Sequence, residues 1–430
     1  MAPFRALLLL FLSFSLTSFP LAAQAPDTAL RPKDVRDMAK GGADAIPKLA
    51  ALLTHPDFDI RLEAVKQIAE IDTQHSLDPL IQATRDADAE IQIRATDGLV
   101  NFYLPGYLKT GFGASLRRAG TSIKGHFTDT NDQVVDPYIQ ARPDLIAALG
   151  VLARNGAKPE SRANAARAIG ILRGKAAIPD LVQAMHSKDT PVIYESLVAL
   201  QKIRDPEAAS SIAFLLRDID PKVQVAAVET TGLLQNKSAL PDLIDVLNHS
   251  RDAKVRRAAL TAIAMLPAPG NREIYARYIA DKDEKLRAAA AEGFARLKNP
   301  ADLPMLEKAS QDEGKTSPRL SMAFAQVMLG KTEVAEFSPL QLLVNTLNSA
   351  AYHGEAFPFL IELARDPGVR KSLYTPLLQG TKDEKIYLAR VMARSGDASD
   401  APQLEKLSHD TDPEVAQEGL RALKNLQARP

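Results

Sequence analysis

The sequence holds no cysteine and no tryptophan in 430 residues, and aromatics make up only 5%. The missing cysteines exclude disulfides, thiolate nucleophiles, Cys-ligated metals and a lipid-modified cysteine, so stability has to come from packing alone. The scarcity of aromatics suits helices that pack through small residues. Excess charge of one sign is missing too. With 53 basic and 53 acidic residues, no global field draws the chain to nucleic acid. One long hydrophobic run exists, from Ala6 to Leu16, and it falls short of the roughly 20 residues that a membrane-spanning helix needs.

That run follows Arg5 and leads to Ala23-Gln24-Ala25. A short basic start, an apolar stretch and an A-x-A site form the layout of a secretory signal peptide. The sequence therefore predicts export to the periplasm or an equivalent compartment, with cleavage near Ala25. The mature chain would begin near Pro26 with 52 basic and 53 acidic residues, a net charge of −1.

What the remainder does contain is a repeat. Ile60, Ile91, Val192, Val223, Val255 and Leu286 are separated by 31, 101, 31, 32 and 31 residues. Each opens an apolar pattern of helical period, as in Val255, Ala258, Ala259, Ala262, Ile263 and Leu266. Before each lies a shorter apolar segment such as "AIPKLAALL", "AIPDLVQAM" or "ALPDLIDVL". Its proline falls in the first turn, where no N–H is required. Asp205-Pro206, Asp220-Pro221 and Asp412-Pro413 read as an N-cap followed by the first helical residue. The gap of 101 holds one further unit, with its second helix starting near Ser161, and an excess of 39 residues between about Leu104 and Arg142.

A helical pair of 31 residues, with proline in the first helix and "D-x-x-V-R-x-x-A" opening the second, resembles the HEAT repeat. More narrowly it is similar to the short type also found in bilin lyases. The resemblance covers nearly all of residues 44–427. It implies an all-α solenoid of roughly ten to eleven helix pairs, a curved rod on the order of 100 Å long with the second helices on its concave face. The expected organisation is a signal peptide (1–25), a cap segment (26–43), repeats (44–103), an excursion (104–142), repeats (143–330), degenerate repeats (331–398) and a terminal repeat (399–430).

Chemistry is sparse. His55, His186, His249 and His409 occupy equivalent turns in different units, too far apart to share a metal, and read as caps of first-helix carbonyls. HEAT-type hydroxylases hold iron through His-Glu dipeptides, and this sequence has none. The recurrent Asp and Arg near second-helix starts, among them Asp57, Arg61, Asp252, Arg256, Arg257, Asp283 and Arg287, read as caps and ties between units. Gly111-Phe112-Gly113, Gly120 to Gly125 and Asp129-x-Asn131-x-Gln133 each miss the residues that would complete a nucleotide or calcium loop. No catalytic residue, cofactor or metal is therefore expected, and the chain reads as a non-enzyme.

The excursion is the one piece unlike its surroundings. "VNFYLPGYLKTGFGASLRRAGTSIKGHF", residues 100–127, has five glycines, five aromatics and no acid. A loop this long without periodicity is uncommon unless it has a function. Tyr103, Tyr107, Lys109, Phe112, Arg117, Arg118, Lys124 and His126 are the candidate binding residues. The reading is a protein–protein interaction scaffold, its partner unknown, engaged through the concave face and the excursion. An anionic ligand or lipid headgroup at the membrane periphery is the alternative. Because the period resumes at Ser161, residues 105–141 are also expected to be removable without cost to the stack.

Overall fold

The computed structural model describes residues 30–110 and 133–428. The signal-peptide expectation lies outside these residues, as do Phe112, Arg117, Arg118, Lys124 and His126. Every regular element among the described residues is helical, and the expected all-α solenoid is what forms. After a capping helix, Pro32–Ala39, eleven helix pairs follow in order. They run from Ile46–Ala51 with Phe58–Ile71 to Ala401–Leu407 with Pro413–Gln427. Each second helix packs on the next along the array.

Local chemistry accounts for the helix starts. The side chains of Asp57, Asp88, Asp220, Asp252, Asp283 and Asp412 each accept the N–H two residues on, at 2.7–3.0 Å. Each satisfies a donor that the first turn leaves unpaired and contributes on the order of 1 kcal/mol. Several first helices begin with a three-residue 3₁₀ turn, as at Lys175–Ala177 and Lys237–Ala239. In the fifth unit the whole first helix, Pro206–Arg217, is 3₁₀. Its i, i+3 stacking sets Ala209, Ile212 and Leu215 in one buried line.

Successive second helices touch through small residues. A Cβ on Gly98 would lie 2.7 Å from the Ala69 Cβ, one on Gly170 would lie 2.7 Å from the Ala199 Cα, and one on Gly232 would lie 2.9 Å from the Ala262 Cα. These glycines are required by proximity of backbone to backbone.

The stack is continuous beneath the excursion. Ala89–Tyr103 packs directly on Pro159–Ile171, and the Asn164 amide donates to Asp97 at 3.1 Å across that junction. The rod is tightly curved. Arg296 of the seventh unit donates to Glu362 of the ninth at 2.8 and 2.9 Å, and Lys285 donates to Glu355 at 3.1 Å, both passing over the eighth unit. Alternate units can meet only on the inside of a tight curve. At the far end Arg421 reaches Asp136, 285 residues earlier, at 2.7 Å. The array therefore turns back on itself.

Gly293 offers a test of this packing. A Cβ there would stand 2.4–2.5 Å from ring carbons of Tyr275, which is wholly buried and donates its hydroxyl to the Ile263 carbonyl at 3.1 Å. Gly293→Ala should lower stability by about 1–3 kcal/mol. Gly270→Ala, with nothing within 4 Å, should change it by less than about 0.5 kcal/mol. Thermal melts of the two variants check this, and equal losses would count against the packing described.

Candidate functional site

The inner wall is built from a fixed register. Counting from the residue that opens each second helix, the side chain six residues on faces the one three residues on in the next unit. Asp97 thus meets Asn164, Arg167 meets Glu195 at 2.7 Å, Glu292 meets Ser321 at 3.4 Å, and Arg390 meets Glu418 at 3.1 Å. Arg167 and Glu195 are each 3% exposed and bond bidentately. Burial works against the Arg167 charge, but Glu195 outweighs it and the guanidinium pKa is raised. Around the seventh unit, burial pushes the Glu292 carboxyl up. Burial likewise opposes Arg296, yet its hydrogen bond to Glu362 and both carboxylates hold it firmly charged.

Glu229 breaks the register. The residue facing it in the next unit is Ala258, which offers no side-chain donor. Glu229 reaches water, yet burial raises its carboxyl pKa. Nearby, Lys222 lies over the Tyr194 ring at 4.2 Å, and burial lowers its pKa.

On the other edge, the Asp and Arg series forms ties, as its structural reading expects. Arg61 donates to the His55 carbonyl at 2.9 Å and to Asp86 of the next unit at 2.8 Å. Arg287 does the same with the Asp281 carbonyl and Glu313, both at 2.7 Å. Arg257 donates to Asp283 at 2.8 Å, and Arg256 donates to the Ser250 carbonyl at 3.2 Å. The histidines behave as local groups. His249 Nδ1 lies 3.0 Å from the Asp245 carbonyl, His55 accepts from the Asp57 N–H at 3.1 Å, and His186 stacks on Phe214 at 4.5 Å. Among the described residues no group of three or more His, Asp or Glu could hold a metal.

The excursion leaves through a tied neck. The Tyr103 hydroxyl accepts the Arg142 N–H at 3.1 Å, joining the helix before the excursion to the start of the one after it. Arg142 is further held by Asp78 at 2.7 Å, and the Leu108 N–H donates to Asn101 at 3.0 Å. Lys109 falls in the short helix Tyr107–Thr110. Tyr107 is 2% exposed and lies in the main core, so a partner could reach it only if this segment came away. Val135 is buried as well, and its N–H donates to the Ile171 carbonyl at 3.0 Å. Residues 105–141 are therefore not removable as one block, because both ends of the excursion are packed. In the inner wall of the second to fourth units, Asp97, Arg167 and Glu195 are buried and engaged across units.

Helix pairs stacked into a tightly curved superhelix define a helical-repeat protein. The model described as HEAT repeats matches residues 20–108, 146–230, 209–274 and 241–328, more than half of the chain. The chain belongs to the HEAT-repeat family, whose arrays generally serve as protein–protein interaction scaffolds. No curated protein matches it significantly. Among solved structures it is similar to an engineered protein (20% identity, 89% of this chain and 98% of that one, TM-score 0.38). It is also similar to the complex of CpcE and CpcF of phycocyanin lyase from Nostoc (17%, 73% and 99%, TM-score 0.30). Human deoxyhypusine hydroxylase is a third (17%, 67% and 97%, TM-score 0.29). At these scores no activity carries over.

Two measurements test the inner wall. Arg167→Met leaves Glu195 charged and buried, and should cost about 3–5 kcal/mol; adding Glu195→Leu should recover most of that. Thermal melts of the single and double variants check the recovery. Glu229 gives a pH dependence. Its folded pKa lies above the ordinary carboxylate value, so stability is lost as pH rises through the range between them. Glu229→Gln should therefore raise the melting temperature at neutral pH and match the unaltered chain near about pH 4.

Proposed function

We propose that this HEAT-repeat protein is exported and acts, without catalysis, as an interaction scaffold of the periplasm or cell envelope, engaging a protein partner chiefly through residues 104–142. The observation that carries the reading is the neck. Tyr103 and Arg142 tie the two ends of the excursion together, while Ala89–Tyr103 packs on Pro159–Ile171 beneath them. The stack is thus complete beneath the neck of the excursion. The basic and aromatic composition of that segment, with Lys109, Arg117, Arg118 and Lys124 and no acid before Asp129, suits an acidic partner surface.

The non-enzymatic part of the proposal rests on what the charged groups do. Arg167 with Glu195, Arg272 with Asp302 and Arg296 with Glu362 each join one unit to another. Groups engaged in holding units together are poorly placed to move protons on a substrate. Export is supported by the order of Arg5, the apolar run and Ala23-Gln24-Ala25.

The test uses the full chain expressed with its own start. N-terminal sequencing of protein from the periplasm should begin at Pro26; retention of Met1 in the cytoplasm would overturn the export reading. Changing Arg117, Arg118 and Lys124 to Glu should leave the circular dichroism spectrum and melting temperature unchanged, since this reading gives these charges to a partner and not to the stack. The same change should remove a stoichiometric partner co-purified from the periplasm. Binding that survives the change would move the contact off the excursion. Sedimentation with anionic liposomes that is lost in salt would instead favour the headgroup reading.

A further inference from the structure

Within the array, arginines six positions past an opening residue are answered by a carboxylate of the following unit, as Arg167 is by Glu195 and Arg390 by Glu418. The last second helix, Pro413–Gln427, opens with Val415, so Arg421 holds the same register position. Among the described residues no further repeat stands beyond it. It is answered by Asp136, through Nε at 2.9 Å and Nη2 at 2.7 Å to the two carboxylate oxygens. The fork is the same two-bond arrangement that joins Arg167 to Glu195.

Asp136 is not a loosely hung acid. Beside it Val135 is 1% exposed and fastened to the Ile171 carbonyl. Tyr138 donates its hydroxyl to the same carboxylate at 3.3 Å, and the Ile139 N–H returns to the Asp136 carbonyl at 2.9 Å. The segment thus presents a fixed carboxylate where a twelfth unit would present its own. Arg421 is held on its side by the helix that Arg390 and Glu418 join to the tenth unit.

We propose that Arg421 and Asp136 form an electrostatic latch that ties the last unit back to the segment between the second and third units, and that the chain exchanges between this latched form and an unlatched, more open superhelix. The pair is of the kind that can be released. The Arg421 side chain is 47% exposed and that of Asp136 18%, so water and salt compete for both, and a pair of this exposure shifts an equilibrium by up to about fivefold. Unlatching parts the last unit from that segment while each second helix stays packed on the next. If the latch also gates access to the inner wall, that use rests on the partner-binding reading above; the latch itself does not.

The absence of cysteine makes the test direct. Gln140→Cys and Gln417→Cys, both exposed positions near the two sides of the latch, take nitroxide labels for pulsed electron paramagnetic resonance on the full-length mature chain. At low salt the distance distribution should be dominated by one short population. Arg421→Asp or Asp136→Arg in the same background should each transfer most of it to longer distances, and the two together should restore it. Raising salt to about 1 M on the unreversed chain should lengthen the distribution in the same direction, a check that needs no charge variant. Circular dichroism confirms that each variant keeps its helices. A long distance at low salt, a short one indifferent to both single reversals and to salt, or no restoration by the double reversal overturns the latch. Should the distances behave as expected while partner binding fails, the latch stands and the scaffold reading falls.

Discussion

The structure depends on how closely one second helix can approach the next. Ala69 and Gly98, Gly170 and Ala199, and Gly232 and Ala262 bring backbones together at three junctions, each pairing the ninth residue past one opening with the seventh past the next. At the junction of the fourth and fifth units the same two positions carry Gln201 and Thr230, which hydrogen bond at 3.0 Å. At the three glycine junctions a larger side chain would push the units apart, because a Cβ on each glycine already meets the neighbouring helix within 3 Å. Tight curvature then follows, and with it everything that alternate units do to one another, including the reach of Arg296 to Glu362. A repeat that buries no core alone gains its stability at these junctions.

Once the second helices are this close, the polar residues beside the contact have little water left and must find partners. Arg167 with Glu195 and Asn164 with Asp97 are that outcome. Neutral overall charge is consistent with it, because acids and bases are taken up in pairs along the wall. Glu229, set against Ala258, keeps its access to water instead, with its carboxyl pushed upward by partial desolvation. Removing one partner of such a pair strands the other, which is why single substitutions here should cost more than their surface counterparts.

The repeat length, the N-cap aspartates and the Arg ties are legible in the sequence because each depends on residues within about one unit of each other. The ninth unit is harder. His353–Leu363 contains Pro358 and lacks the apolar opening, and its placement relies on Phe359 stacking on Phe324 at 4.6 Å and on ions from two units back. Nothing local announces the left-handed residues Asp72, Arg173, Arg204, Gln235 and Lys298 that close second helices, since a glycine is the usual sign of that conformation. Of the candidate site residues, Tyr103 and Tyr107 look alike in sequence, yet one ties the neck and the other is buried. A tyrosine inside a glycine-rich stretch carries no periodicity from which burial could be read. Counting six and three from each opening residue would have found the inner-wall pairs.

These constraints bear on where a partner can bind. Recognition through the inner wall of the second to fourth units would have to displace Arg167 from Glu195 or Asn164 from Asp97, and a buried ion pair is costly to break unless the incoming groups replace both bonds. Recognition through the excursion carries no such penalty, because its neck is fixed by Tyr103, Asn101 and Asp78 whatever the segment beyond it contacts. In a solenoid whose wall is committed to its own curvature, binding is least opposed away from that wall, and the basic residues between Lys109 and Lys124 fall in the stretch of sequence that follows the neck.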